Sequence, residues 1–327
     1  MRAGKVCLVQ GVLVAAMLAQ PGGWQETIRQ GHLLQRQGHW PAAEAAFQKA
    51  FTEAAGQPDA ARWQARALAD LSSLRADQGN ASDAARLSEQ AANLLARTAG
   101  EDDGLLQDLR MDLAEMYLSA GEADTGEHLF RQVLSAQTKV SQTQTRQHAR
   151  VLIGLAEAAA WRGNLGPAEK SLRQALSILE NYPNSGARLA AIGNLHLAAI
   201  QNSKGRDSEG LDSVTRAERF LRLDPFASPA MLSEAAMLRA SLCIRAGCRN
   251  ESEADSAHAV EIDENYYGRE HVLTAWTILA RAAVLRRLGR TRESQAAQQE
   301  GARILAGLKR RELLHDTVPL NALVPVH

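Results

Sequence analysis

The chain has 327 residues, of which 45% are hydrophobic, so it can bury a substantial core, yet aromatic residues make up only 4%. That shortage of large rings argues against one bulky globular interior, and abundant alanine with only nine prolines favours thin, closely packed helical layers. Thirty-seven basic and 37 acidic residues cancel, which removes the general field that gathers nucleic acid or an anionic membrane.

The N-terminus carries Arg2 and Lys5, then a mostly apolar run from Val6 to Ala19, then the breaker Gln20-Pro21-Gly22-Gly23. A run of about 14 residues falls short of the roughly 20 that a spanning helix needs, so residues 1–20 read as a secretory signal. Met17 stands where a small residue is expected before a cut at Ala19, and the alternative is an uncleaved anchor that would hold the chain at a membrane. Export is the expected localisation, with the cytoplasm as its rival. Three cysteines are too few for a disulfide scaffold; Cys243 and Cys248, five apart across a helix end, are expected to stay unpaired.

Residues 31–50 predict two short amphipathic helices meeting at Gly38, with Pro41 suited to the first turn of the second. Gly31 would let the second helix approach closely, and Ala43, Phe47 and Ala50 share one face of that helix. The turn glycine then returns at Gly79, Gly121, Gly163, Gly205, Gly247 and Gly289, first after 41 residues and then every 42. Chance would produce such a series on the order of one time in ten thousand or less.

Other positions keep the same beat. Seven before each turn stand Gly31, Ser72, Ala114, Ala156, Ala198, Ala240 and Ala282; five after it stand Ala43, Ala84, Gly126, Ala168, Gly210, Ser252 and Ser294. Small residues at these places are what crossing helices in stacked hairpins require. Connectors between copies carry the breakers Gly56-Gln57-Pro58, Gly100-Glu101-Asp102, Tyr182-Pro183-Asn184, Asp224-Pro225 and Tyr267-Gly268-Arg269. One column departs: leucine at 71, 113, 155 and 197 is replaced by Gln30, Arg239 and Arg281 in the other copies, and the second-helix aromatic of Phe47 and Phe130 becomes Ser88, Ser256 or Gln298.

This pattern of Gly31, Leu34, Gly38, Trp40, Ala43, Phe47 and Ala50 resembles a tetratricopeptide repeat, and the 42-residue spacing with the connector Tyr267-Gly268-Arg269-Glu270-His271 resembles its kinesin-light-chain-like branch. The resemblance implies an all-α, right-handed superhelical solenoid of about seven helical hairpins over residues 24–311, followed by a tail at 312–327. It also implies that the first helix of each copy lines a concave groove. The side chains then expected there are Arg29, His32 and Arg36; Arg66, Asp70 and Asp77; Asp108, Asp112 and Glu115; Arg150, Glu157 and Trp161; His196 and Asn202; Glu234 and Arg245; Trp276, Arg286 and Arg287. Such a groove is acidic around copy three and basic at both ends, which suits an extended peptide with Trp161 as an anchor. The lysine and asparagine arrangement by which some relatives clamp a terminal carboxylate is missing.

No catalytic, metal-binding or cofactor-binding constellation emerges. His128 and His271 have no partner four residues along and read as surface histidines. Gly163 to Ser171 only imitates a phosphate loop, because Lys170 does not follow the last glycine. Asn80 and Asn250 match the glycosylation pattern, Ser82 reading equally as a helix cap. Glu157 near His196 is the single acid and base pairing that an enzyme reading would use. The expectation is a non-enzymatic scaffold that holds a peptide or partner domain, the alternative being a regulatory or sensory subunit whose stack responds to a ligand.

Overall fold

A computed structural model describes residues 23–139, 141, 143–224 and 227–310, so the readings of residues 1–20 and 312–327 lie outside the described part. Within it, seven helical hairpins follow one another: α1 (Gly23–Arg36) with α2 (Trp40–Ala54), α3 (Ala60–Asp77) with α4 (Ala81–Ala96), α5 (Gly104–Ser119) with α6 (Ala123–Lys139), and α7 (Arg146–Trp161) with α8 (Leu165–Leu179). Then come α9 (Ala187–Ser203) with α10 (Asp207–Leu223), α11 (Pro229–Ala246) with α12 (Arg249–Tyr267), and α13 (Val272–Arg287) with α14 (Thr291–Arg310). No strand occurs among the described residues.

The turn chemistry is the same in every copy. All seven periodic glycines have positive φ, from 68° at Gly205 to 91° at Gly247, a conformation that a Cβ would strain. The residue after each glycine donates its N–H to the carbonyl five residues back, as His39 does to Leu34 at 2.9 Å and Glu122 to Tyr117 at 2.8 Å. This closes the helix end by capping its orphan carbonyls and reverses the chain.

Between the helices, the periodic small residues are buried, from Gly31 and Ala43 in the first copy to Ala282 and Ser294 in the last. Large side chains fill the hollows they leave. A Cβ at Gly31 would stand 2.5 Å from Phe47, and one at Gly154, which is outside those columns, only 2.1 Å from Phe130. Both rings are fully buried. Where the aromatic is lost, polar groups satisfy each other: Ser72 Oγ donates to the Ala84 carbonyl (2.6 Å) and meets Ser88 Oγ at 2.8 Å. Where leucine becomes Arg239, the guanidinium grips both Asp255 oxygens (2.7 and 2.6 Å) and Glu218 (2.6 Å).

Neighbouring copies are also joined by ions. The residue six after the turn glycine is glutamate in four copies, and each pairs with a cation near the next turn: Glu44 with Arg75, Glu127 with Arg162, Glu169 with Lys204 and Arg206, and Glu253 with Arg290. Glu169 is held at a pKa of about 2, chiefly by its hydrogen bond from Arg206, against a burial cost.

Three sequence expectations need correction. Cys243 and Cys248 form a disulfide, because the left-handed Gly247 folds the end of α11 back and brings their Cα atoms within 4.8 Å. Asn80, not Ser82, caps α4, accepting the Asp83 N–H at 3.2 Å; Ser82 already belongs to the helix. His271 is no surface histidine: it caps α13, accepting the Leu273 N–H on Nδ1 at 3.2 Å, and is partly buried.

What His271 does with its other nitrogen defines the architecture. Its Nε2 donates to the Asp77 carbonyl at 3.1 Å, 194 residues away, and the Tyr266 hydroxyl donates to the Gln35 carbonyl at 3.2 Å, 231 residues away. Trp40 meets Tyr266 edge-on at 6.0 Å, and Tyr267 stacks on His271 at 4.7 Å. The junction of α12 and α13 therefore rests on the turns of the first two hairpins, and the stack closes on itself.

Candidate binding lumen

Closure converts the expected open groove into a lumen lined by the first helices α1, α3, α5, α7, α9, α11 and α13. On the side formed by α1 to α7, the groove residues pair with one another. Asp70 Oδ1 lies 3.4 Å from Arg66 and 3.5 Å from His32, and Gln35 donates to Asp77 at 2.8 Å. Arg150 donates twice to Glu115, both at 2.8 Å, and also to Asp112, while Gln147 donates to Asp108 at 2.9 Å. Burial pushes Asp70 up to about 6 although Arg66 opposes it, and burial lowers His32. Burial also works against the Arg150 charge, but Glu115 and Asp112 more than compensate and raise its pKa.

The side formed by α7, α9 and α11 is different. Glu157, His196 and Glu234 occur on three consecutive first helices that pack side by side. Burial, reinforced by the charges of Glu115 and Glu234 and opposed by the Trp161 indole N–H, pushes Glu157 up to about 8; burial alone pushes Glu234 up to about 7 and His196 down to about 4. His196 Nδ1 is buried without a hydrogen-bond partner, and the buried Trp161 indole N–H has only Glu157 before it, outside full hydrogen-bond geometry.

Two cavities open into this space. One of about 780 Å³ is lined by the charged array of Arg66, Asp108, Asp112, Glu115 and Arg150, with Ile192 and Met231 opposite. Another of about 440 Å³ lies beside the closing contact between α3, α4, α5 and α13, where Ala69, Met116, Val272, Leu273 and Trp276 supply an apolar lining next to Asp77 and Glu115. Trp276 Nε1 is buried there with no partner.

Not every expected groove residue is in the lumen array. Arg29 is exposed and pairs with Glu26 on its own helix, and Arg36 is exposed on the same helix. Asn202 and Arg245 brace neighbouring copies: Arg245 donates to Asn202 Oδ1 at 2.5 Å and to Asp207 at 2.8 Å, and Asn202 donates to Ser241 at 3.3 Å. Burial and the charges of Arg245 and Arg286 lower the pKa of Arg287, so these three form a basic patch at that end. The closing residues Tyr266 and Val272 escaped the sequence reading, although a tyrosine pair in so aromatic-poor a chain was a signal. Among the described residues no group of three His, Cys, Asp or Glu could hold a metal ion, and no helix is long and apolar enough to cross a membrane.

The sequence profile of the tetratricopeptide repeat matches residues 232–306, the two hairpins α11 to α14, and the same turn, column and closure geometry runs through the five hairpins before them. Residues 232–306 are tetratricopeptide repeats. No curated protein matches it in sequence. Among solved structures, the helical solenoid is similar to the Rap conjugation gene regulator of the plasmid pLS20 in complex with a Phr peptide (TM-score 0.68, 12% identity, 94% of this chain and 82% of that one). It is also similar to aspartyl phosphate phosphatase F from Bacillus subtilis (0.63, 13%, 91% and 72%) and to a Rap protein complexed with competence and sporulation factor (0.62, 12%, 90% and 88%). At such identities the likeness concerns the fold.

Proposed function

We propose that this helical-repeat protein is a non-enzymatic scaffold that receives an extended peptide, or an extended segment of a partner protein, inside its lumen. The repeat fold itself supports a protein-interaction role. The observation that carries the finer reading is the enclosed inner surface, where a charged cavity of about 780 Å³ and an apolar one of about 440 Å³ share Asp112 and Glu115 as a common wall. An extended chain offers both kinds of side chain at short intervals along one backbone. Two similar structures are described as complexes, with a Phr peptide and with competence and sporulation factor, which supports the same use here.

Panning the full-length protein against a random peptide display library tests this. Enriched peptides should lose most of their affinity for Trp276→Ala, which empties the apolar cavity, and keep it for Glu180→Gln on the exposed surface. Failure to enrich any sequence, or binding indifferent to Trp276, sinks the reading. The regulatory alternative is favoured by the closing contact, because a ligand in the adjoining cavity would act on it directly; a change of radius of gyration on peptide binding distinguishes a responsive stack from a static one. For localisation we propose export: the N-terminal run motivates it, and the Cys243–Cys248 disulfide supports an oxidising compartment. Mature N-terminal sequencing that begins at Met1 counts against it.

A further inference from the structure

Every carboxylate of the lumen on the α1 to α7 side except Glu157 has a partner of its own: Asp70 has Arg66, Asp77 has Gln35, Asp108 has Gln147, and Asp112 and Glu115 share Arg150. Glu157 and Glu234 have no cation. The charges that act on Glu157 are those of other carboxylates, and Glu234 feels burial alone. Between them on α9 stands His196, neutral and with its Nδ1 unbonded, and at the end of α7 the buried Trp161 indole N–H is directed at Glu157, opposing the rise in its pKa, in a geometry that falls short of a full hydrogen bond. Two enclosed acids without a counter-charge destabilise the free protein, and a fold that needed only stability would have apolar residues there. A cation brought in by a ligand would find two carboxylates and an aromatic ring gathered in one desolvated place.

We propose that Glu157, Glu234, His196 and Trp161 form a subsite for one basic side chain of the bound peptide, arginine or lysine, which completes the lumen's charge pairing. This inference rests on the peptide-scaffold reading above. As the cation enters, the two acids release the protons that burial favours and grip the guanidinium or ammonium group as carboxylates, Trp161 flanks it, and His196 stays uncharged so that it does not compete. The pairing answers the one formed by Arg150 within the protein: on one side of the lumen the chain supplies the cation, on the other the ligand does.

The test is calorimetric titration of full-length protein with capped heptapeptides of alternating serine and alanine that carry arginine, alanine or glutamate at the centre. The arginine peptide is expected to bind at least about tenfold more tightly than the alanine one, and the glutamate one more weakly than both. The double variant Glu157→Gln, Glu234→Gln should erase that preference, and Glu180→Gln, which removes one charge outside the lumen, should preserve it. Circular dichroism checks folding, and each single variant alone should reduce the preference should the double one fail to fold. Preference that survives both single variants, or equal binding of the arginine and glutamate peptides, overturns the proposal. So does spermidine binding more tightly than the arginine peptide, which would make a free polyamine the occupant. If peptides bind with no regard to charge, only this subsite falls; if no peptide binds, including those from the display library, the scaffold reading falls with it.

Discussion

The seams between successive hairpins and the seam that closes the stack hold the same molecule together by different means. Each stacking seam is built from columns of small residues against buried Leu, Phe or Val, repeated at a fixed interval and reinforced by ion pairs such as Glu169 with Arg206. The closing seam has no column. It consists of His271 and Tyr266 donating to the Asp77 and Gln35 carbonyls, an edge-on Trp40, and Val272 against Gly79. The first kind of seam buries apolar area and carries the fold; the second rests on a few directional contacts, which cost little to break. Stability and shape are therefore set by separate parts of the protein.

The largest effect is expected inside a stacking seam. Gly154→Ala puts a Cβ 2.1 Å from the Phe130 ring, which has no room to move, and should cost about 3 kcal/mol in urea unfolding. Adding Phe130→Leu should return part of it. If Gly154→Ala melts with the wild type, the close packing of Phe130 in this seam does not carry the fold.

Next comes a matched pair of turn substitutions. Gly79→Ala and Gly121→Ala both place a side chain at positive φ (77° and 82°) and should each lose about 1 kcal/mol. Only Gly79 has a neighbour, Val272 Cγ1 at 2.7 Å from its would-be Cβ, whereas nothing lies within 4 Å at Gly121. Gly79→Ala alone should enlarge the radius of gyration in small-angle scattering. Equal profiles for the two variants would mean that the ends do not meet in solution.

Acid should act on the closing seam as well. Burial, opposed by the bonds to Asp77 and Gln78, lowers the His271 pKa from 6.5 to about 4. In that window the unfolded or opened chain binds a proton that the closed one does not, so closure is at full strength above pH 6.5 and is lost as pH falls toward 4. Protonating Nδ1 would also remove the acceptor that caps α13 and set a positive charge at a helix N-terminus. Glu157 and Glu234 work in the opposite sense: with folded pKa values raised to about 8 and 7, they withdraw stability as pH rises from 4.5 through those values. Scattering between pH 6.5 and 4 should show expansion in the wild type and not in His271→Asn, which keeps a donor and an acceptor but does not titrate. Expansion in both would place the acid response elsewhere.

The stacking seams could be read from the sequence because they repeat. Gly38 and its six successors demand a conformation that few other residues tolerate, and seven small residues at one offset cannot be explained by anything but helix crossing. The closing seam could not be read this way, since Tyr266 and His271 each occur once and their partners are backbone carbonyls at Gln35 and Asp77, whose positions depend on the accumulated twist of the stack. The lumen falls between these cases. The resemblance to the repeat family implies that Arg150 and Glu157 alike are groove residues, but only coordinates separate the one with an ionic partner from the one without. A spacing of five across a helix end does not reveal the Cys243–Cys248 disulfide, because it is the left-handed turn at Gly247 that brings the two Cα atoms within reach.

The ion ladder offers the smallest and most discriminating test of how the seams divide their work. Glu169 is buried, while Lys204 and Arg206 keep 31% of their side-chain surface exposed, so the attraction is partly screened and one pair contributes about 1 kcal/mol or less. Glu169→Gln should therefore lower the urea midpoint slightly, and the loss should appear only above the carboxylate's folded pKa of about 2, growing as pH rises to the ordinary value of 4.5 and constant beyond it. Because the columns on either side, Ala168 and Leu172, remain fully buried, the scattering profile should not change. A shift of shape without a shift of midpoint would reverse the assignment, making the ladder rather than the closing contact the element that sets curvature.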